Sequence, residues 1–198
     1  MRLRKFKQLY IKMANFYLDV ETTGLDPKKD KIITIQYQEL DRNTGAAKGE
    51  LIILKEWESS EAEILKKFIM DTNILDEYPF TFVPVGYSLG FDHNFLQIRS
   101  LINSLPAIDI LNKPFIDLKS IGVIMNVGEF KGASLDKLTG KKEDGSHIPI
   151  WYANKEYDKI IEYIKIETSE FIKLNKWLYR KLPFLLIEFK KGQDNKKN

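Results

Sequence analysis

Cysteine is absent from the 198 residues, histidine occurs only as His93 and His147, and no apolar run approaches the ~20 residues that span a bilayer. Without thiols, disulfides and thiolate zinc sites are excluded, and a reducing intracellular setting is expected. The opening MRLRKFKQLYIKM lacks the continuous apolar stretch of a signal peptide, so the expectation is a soluble cytoplasmic protein with no membrane partner. Internal repeats and interior linkers are also missing. With 43% hydrophobic residues the chain is long enough for one well-packed domain and short for two.

Net charge is small, at +3, but unevenly placed. Arg2, Arg4, Lys5, Lys7 and Lys12 put five positive charges at the start. Lys190, Lys191, Lys196 and Lys197 against Asp194 put a net three at the end, which leaves −5 for the body between. An acidic body fits a site whose bound cations neutralise part of that charge, and basic ends fit phosphate backbones as well as simple solubility. The expected division is a basic arm over 1–13, a domain over 14–182, and an apolar segment with a basic tail over 183–198. The apolar run LPFLLIEF in that last part is expected to fold back as a strand or helical cover, with a docking peptide as the alternative.

Residues 17–26 read YLDVETTGLD. Side chains alternate along a strand, so Asp19 and Glu21 share one face while Phe16, Leu18 and Val20 fall on the other. Two acids opposite a buried stripe suit a divalent cation, and Thr22, Thr23 and Gly24 then end the strand. KIITIQYQEL and ELIILKEW read as two more strands of an antiparallel meander. Ser60 and Glu63 form a capping box ahead of Ile64, Leu65, Phe68 and Ile69, which marks a helix. TFVPVGYS reads as a fourth strand, and Phe91, Phe95, Ile98, Leu101, Ile102 and Leu105 as a helix beginning beside Asp92. PFIDLKSIG reads as a fifth strand, ASLDKLTG as a short helix ended by Gly140, KKEDGSHIP as a polar loop, and about 155–181 as a long helix. These elements make an α/β domain with a mixed five-stranded sheet flanked by helices.

Ile160, Ile164, Phe171, Leu174 and Leu178 give the last helix a core-facing stripe, and Glu167 falls inside it. An unpaired carboxylate there would cost several kcal/mol, so a charged partner or a metal is expected beside it. Tyr163 stands one helical turn earlier on the same side.

The string D-V-E-T-T-G-L-D after an apolar strand resembles the first motif of the DEDD (DnaQ-like) 3'-5' exonucleases, which have the RNase H-like fold. Phe91 and Asp92 resemble the second motif, with Ser88 where an asparagine usually stands. Tyr163 followed four residues later by an acid resembles the third motif of the DEDDy subclass, with Glu167 where that subclass has aspartate. The added methylene reaches about 1.5 Å further. Asp158, nine residues before Glu167, lies on a different helical face. The histidine subclass would require histidine at 162, where this chain has Glu162, and neither His93 nor His147 has that spacing. FIDLKSIG and KGASLDKLTG are similar to the spacer of stand-alone exonucleases related to the proofreading domain of family-B DNA polymerases.

The resemblance implies that Asp19, Glu21, Asp92 and Glu167 hold two divalent ions, Mg²⁺ or Mn²⁺, and that Tyr163 orients the attacking water. It implies that Thr22, Thr23 and Leu25 touch the terminal nucleotide, with Phe91 and Ser88 nearby. The expected activity is metal-dependent 3'-5' hydrolysis of single-stranded DNA or RNA ends to nucleoside 5'-monophosphates. Two alternatives stay open: a non-catalytic relative that binds nucleic acid or a replication or repair protein, and a hydrolase of small nucleotides or short oligomers.

Overall fold

The computed structural model describes residues 13–142 and 145–194. The basic arm expected over 1–13 therefore lies outside the described residues except for Met13, as do residues 195–198 of the basic tail.

Strands β1 (Asn15–Thr22), β2 (Ile32–Leu40) and β3 (Ile52–Lys55) form the expected antiparallel meander. On the other side of β1, strands β4 (Val83–Gly86) and β5 (Ile116–Asp117) add in parallel, giving the mixed sheet β3-β2-β1-β4-β5. Helices α1 (Glu61–Thr72), α2 (Leu89–Ile102), α3 (Leu118–Met125), α4 (Leu135–Thr139), α5 (Ile148–Ala153) and α6 (Tyr157–Asp194) complete the chain. Half of the expected capping box is formed: Ser60 caps α1 by accepting from the Glu63 N–H at 3.2 Å, while the Glu63 carboxylate accepts from Lys66 at 2.8 Å.

As the central strand, β1 is covered on both faces. Leu18 and Val20 pack with Ile35 against Leu65 and Phe68 of α1 and Phe95 of α2. On the opposite face Tyr17 packs against Phe171 of α6, their rings 4.7 Å apart. That second face turns from apolar to acidic two residues along, at Asp19, so the apolar packing under α6 runs directly into the carboxylates.

Three elements differ from their sequence reading. Only Ile116 and Asp117 of PFIDLKSIG pair with β4. The Asp117 carboxylate then caps α3 through the Lys119 N–H at 2.9 Å and ends the strand. The end of the segment read as a polar loop, from Ile148, belongs to the short helix α5, with Pro149 in its first turn; residues 143–144 of that segment lie outside the described residues.

The third difference is α6, which continues past Lys181 to Asp194. Pro183 removes one backbone donor, but the following Leu, Ile, Glu and Lys residues sustain a helix. The LPFLLIEF segment therefore does not fold back as a cover. It belongs to α6, with Phe184 62% and Phe189 65% exposed. Leu178, Leu182, Leu185 and Phe189 keep the spacing of the core stripe, which is helical and not that of a strand. The division expected after residue 182 thus falls inside a continuous helix. Among the described residues, no helix is long and apolar enough to cross a membrane.

Candidate active site

Asp19 and Glu21 project from the end of β1 toward α6, which brings Glu167 against them. One carboxylate oxygen from each of the three lies within 4.8 Å of the others. Antiparallel pairing sets Gln36 directly opposite Asp19 and Thr34 opposite Glu21. Gln36 donates to Asp19 Oδ2 at 2.7 Å, the Tyr17 hydroxyl donates to the same oxygen at 3.3 Å, and the Thr34 hydroxyl donates to Gln36 Oε1 at 2.9 Å. With its amide nitrogen on Asp19 and its oxygen accepting from Thr34, the fully buried Gln36 is satisfied at both ends. A register shift between Glu21 and Thr22 then interrupts the ladder, which resumes with Thr22 opposite Ile32.

Packed acids repel one another and have lost water. Burial, and then Glu167, push Asp19 up to about 7. Glu21 is raised well above the usual range by burial, then by Asp19 and Glu167. Asp92 is raised by burial and then by Asp19. Burial, followed by Glu167, likewise pushes the Tyr163 phenol far above its ordinary value.

Glu167 sits inside the apolar stripe of α6, between Ile164 and Phe171, as expected. It has the charged partner that such burial demands. Lys141 Nζ donates to Glu167 Oε2 at 2.9 Å and to the Tyr163 oxygen at 2.8 Å.

A cleft of 550 Å³ opens over the cluster and is lined by Asp19, Glu21, Thr22, Leu25, Phe91, Tyr163 and Glu167, with residues 145–149 forming a wall. Gly145, at φ +83°, lets that wall approach so closely that a Cβ there would lie 2.8 Å from the Tyr163 oxygen. Leu25 is 85% exposed at the mouth. The Thr22 hydroxyl donates to the Gly24 carbonyl at 2.6 Å, and the Thr23 hydroxyl accepts from the Lys31 N–H at 3.0 Å.

Three expected residues, Thr23, Asp92 and Ser88, are not among those that line this cleft. Asp92 lies in the first turn of α2, buried beside β1, and accepts from the Val20 N–H at 3.0 Å. It is within electrostatic reach of Asp19 and Glu21 but outside the three-carboxylate group. Ser88 faces a neighbouring cleft of 190 Å³, shared with Asp19, Lys141 and Glu167. Its backbone is left-handed, φ 67°, and its N–H donates to Asp117 Oδ1 at 2.9 Å.

Lys141 and Gln36 escaped sequence reasoning. Thr34 and Gln36 alternate with apolar residues in β2, a readable sign of a polar sheet face. Lys141 gives no local sign, because its neighbours matter only after α4 and α6 meet.

The donor set fits a small hard cation. Oxygens 2.0–2.1 Å from Mg²⁺ lie at most about 4.2 Å apart across an octahedron, so a 4.8 Å group closes onto such an ion with small side-chain movement. An ion would also offset the cost of charging Asp19 and Glu21, both raised by burial.

Comparisons with known proteins agree with this architecture. An uncharacterized protein of Methanocaldococcus jannaschii is 28% identical over 95 residues, which cover 47% of this chain and 45% of that protein. Among solved structures, the zinc-ion-bound form of E. coli exonuclease I in complex with single-stranded DNA matches with a TM-score of 0.58 at 15% identity, covering 88% of this chain and 42% of that one. E. coli exonuclease I in complex with a dT13 oligonucleotide matches with a TM-score of 0.56 at 14% identity, covering 89% and 43%. The chain thus spans less than half the length of these proteins, and the structural likeness is one of fold. The family model described as the RNase_H superfamily matches residues 16–179, and the chain belongs to that superfamily.

Proposed function

We propose that this protein is a metal-dependent 3'-5' exonuclease that hydrolyses single-stranded nucleic acid ends, DNA in preference to RNA, to nucleoside 5'-monophosphates. The observation that carries the reading is the convergence of Asp19, Glu21 and Glu167 at the floor of a cleft also lined by Tyr163. Solved exonuclease I chains of the same fold, described with zinc and with single-stranded DNA, support it.

Asp19, Glu21 and Glu167 would hold divalent ions, with Asp92 as the fourth acid through the oxygen not engaged by Val20. When bound, such ions supply charge neutralisation at the scissile phosphate and a water of lowered pKa. The chain's own groups set the geometry. Lysine only donates, so the Tyr163 oxygen accepts from Lys141 and keeps its single proton for another acceptor. With its phenol so strongly raised, Tyr163 acts by orienting water through that hydroxyl and not as a base. Its place four residues before Glu167 favours the tyrosine subclass. Water adds to phosphorus, the bond to the 3' oxygen breaks, and that oxygen leaves with a proton.

Leu25 and Phe91 offer apolar surface to the terminal base, and the Thr23 hydroxyl retains a proton to donate to it or its sugar. Ser88 approaches from the adjoining cleft. The narrow site suits one frayed strand.

One observation favours a second reading, a non-catalytic relative that binds nucleic acid or a replication or repair protein: the Glu167 carboxylate is already paired with Lys141. Digestion of 3'- and 5'-labelled single-stranded DNA and RNA with Mg²⁺ or Mn²⁺ tests both. Stepwise loss from the 3' end that disappears in Asp19→Ala is expected. Its absence in the folded wild-type protein would leave the second reading.

A further inference from the structure

Every residue of α6 from 180 to 193 is exposed, so about 20 Å of helix stands clear of the domain. Within it Leu182, Leu185 and Phe189 recur at intervals of three and four, the spacing of a helix-pairing seam, and Leu186 borders them. Leu182 is 41% exposed, Leu185 57%, Leu186 54% and Phe189 65%. At about 200 Å² for a whole side chain, that stripe offers roughly 400 Å² of apolar surface. A stable interface buries about 800 Å² per partner, a little over half of it apolar, so the stripe matches the apolar share of one partner. Propensity alone leaves a proline-containing helical stretch of this length marginal in water, and burial of an apolar face is what holds most helices.

We infer that this stripe pairs with the same stripe of a second copy of the chain, the two helices crossing antiparallel near residues 183–184. The charges select that occupant and that direction. Lys181 and Glu188 stand two turns apart on one flank of the seam, and neither has an ion-pair partner among the described residues. In the antiparallel crossing Leu182 meets Leu185 of the second copy, and Lys181 comes beside the second copy's Glu188. Two-fold symmetry makes each contact twice, as a self-complementary interface requires. A parallel pair would set Lys181 beside Leu186 and Glu188 beside Gln193, joining no opposite charges. It would also drive the two domains together, because Phe171 and Leu178 carry the same stripe into each domain's core. The helices cross at an angle, since the domain already covers the stripe at Leu178. Glu167 lies about 25 Å along α6 from the crossing, so each copy keeps its own cleft.

This pairing is independent of the nuclease reading, and sedimentation equilibrium of the full chain tests it at loading concentrations from about 1 to 100 μM. The wild type should show a monomer–dimer equilibrium. Leu185→Glu, a change at an exposed position, should leave a folded monomer throughout. Lys181→Glu and Glu188→Lys should each weaken the dimer about tenfold, and the doubly reversed chain should regain wild-type affinity to within about threefold. A wild type that stays monomeric, or a dimer that survives Leu185→Glu, overturns the proposal. Single reversals without effect, or a double reversal no tighter than the single ones, overturns the antiparallel pairing of Lys181 with Glu188. Each of these results leaves the nuclease reading as it stands.

Discussion

Replacing Asp19 by asparagine should make the metal-free protein more stable while abolishing activity. Asparagine keeps the shape and still accepts the Gln36 and Tyr17 hydrogen bonds, so the change removes charge and little else. Each pKa unit is worth about 1.4 kcal/mol, so raising Asp19 from 3.8 to about 7 makes its ionisation in the folded chain cost on the order of 4 kcal/mol. Neighbouring acids share that cost, and about 2 kcal/mol is expected for the single site. The sign follows from proton linkage. A carboxyl with a raised folded value binds its proton more tightly folded than unfolded, so stability falls as pH rises from 3.8 to about 7. Urea unfolding in chelator should therefore show Asp19→Asn more stable than the wild type at pH 8, with the gap closing toward pH 4. Adding Mg²⁺ or Mn²⁺ at pH 8 should reverse the order, because the ion stabilises the ionised cluster of the wild type. A variant less stable than the wild type at pH 8 in chelator, or a gap independent of pH, would refute the account of Asp19 as a desolvated acid poised for a cation.

Other expectations follow from single contacts. Ser88 at φ 67° carries left-handed strain of about 1 kcal/mol that glycine lacks, partly offset by the freedom glycine adds to the unfolded chain. Ser88→Gly should raise the melting temperature by about 2 °C, and a lowered one would count against strain there. Glu61 is buried and accepts from Arg99, Asn103 and the Ile32 N–H, so Glu61→Ala should cost about 3–5 kcal/mol in chemical denaturation. A loss under 1 kcal/mol would show that the network contributes little. Gly145→Ala should disturb Tyr163, which its new methyl would meet 2.8 Å from the phenolic oxygen, and so reduce kcat more than the affinity for a single strand. Equal kcat in the variant and the wild type would remove Tyr163 orientation from the mechanism.

The degree to which the sequence was readable varies from element to element. β1, β2 and α1 were plain because strong apolar periodicity and the Ser60 cap act locally. α6 was readable up to about Lys181, and its continuation was not, because Pro183 and the apolar LPFLLIEF run look like a boundary. That reading assumes the chain must cover apolar side chains, whereas the helix simply carries them on. β5 was overread because Ile116 and Asp117 begin like a strand, and only the meeting of Asp117 with the α2 and α3 backbones turns the chain. Within the site, the alternation in β1 put Asp19 and Glu21 on one face, and the stripe of α6 put Glu167 inward. Those two facts came from period and polarity alone.

What the sequence determined by itself is the set of local periodicities: which residues form strands and helices, which faces are apolar, and which acids interrupt those faces. Tertiary structure decided which interruptions meet. Gln36 reaches Asp19 through strand register, Asp92 is held beside β1 on the Val20 N–H, and Lys141 crosses from the end of α4 to Glu167. No local pattern encodes these contacts. Hydrogen bonds and ion pairs between residues 17, 72 and 26 positions apart depend on how sheet and helices pack, and packing is a property of the whole chain.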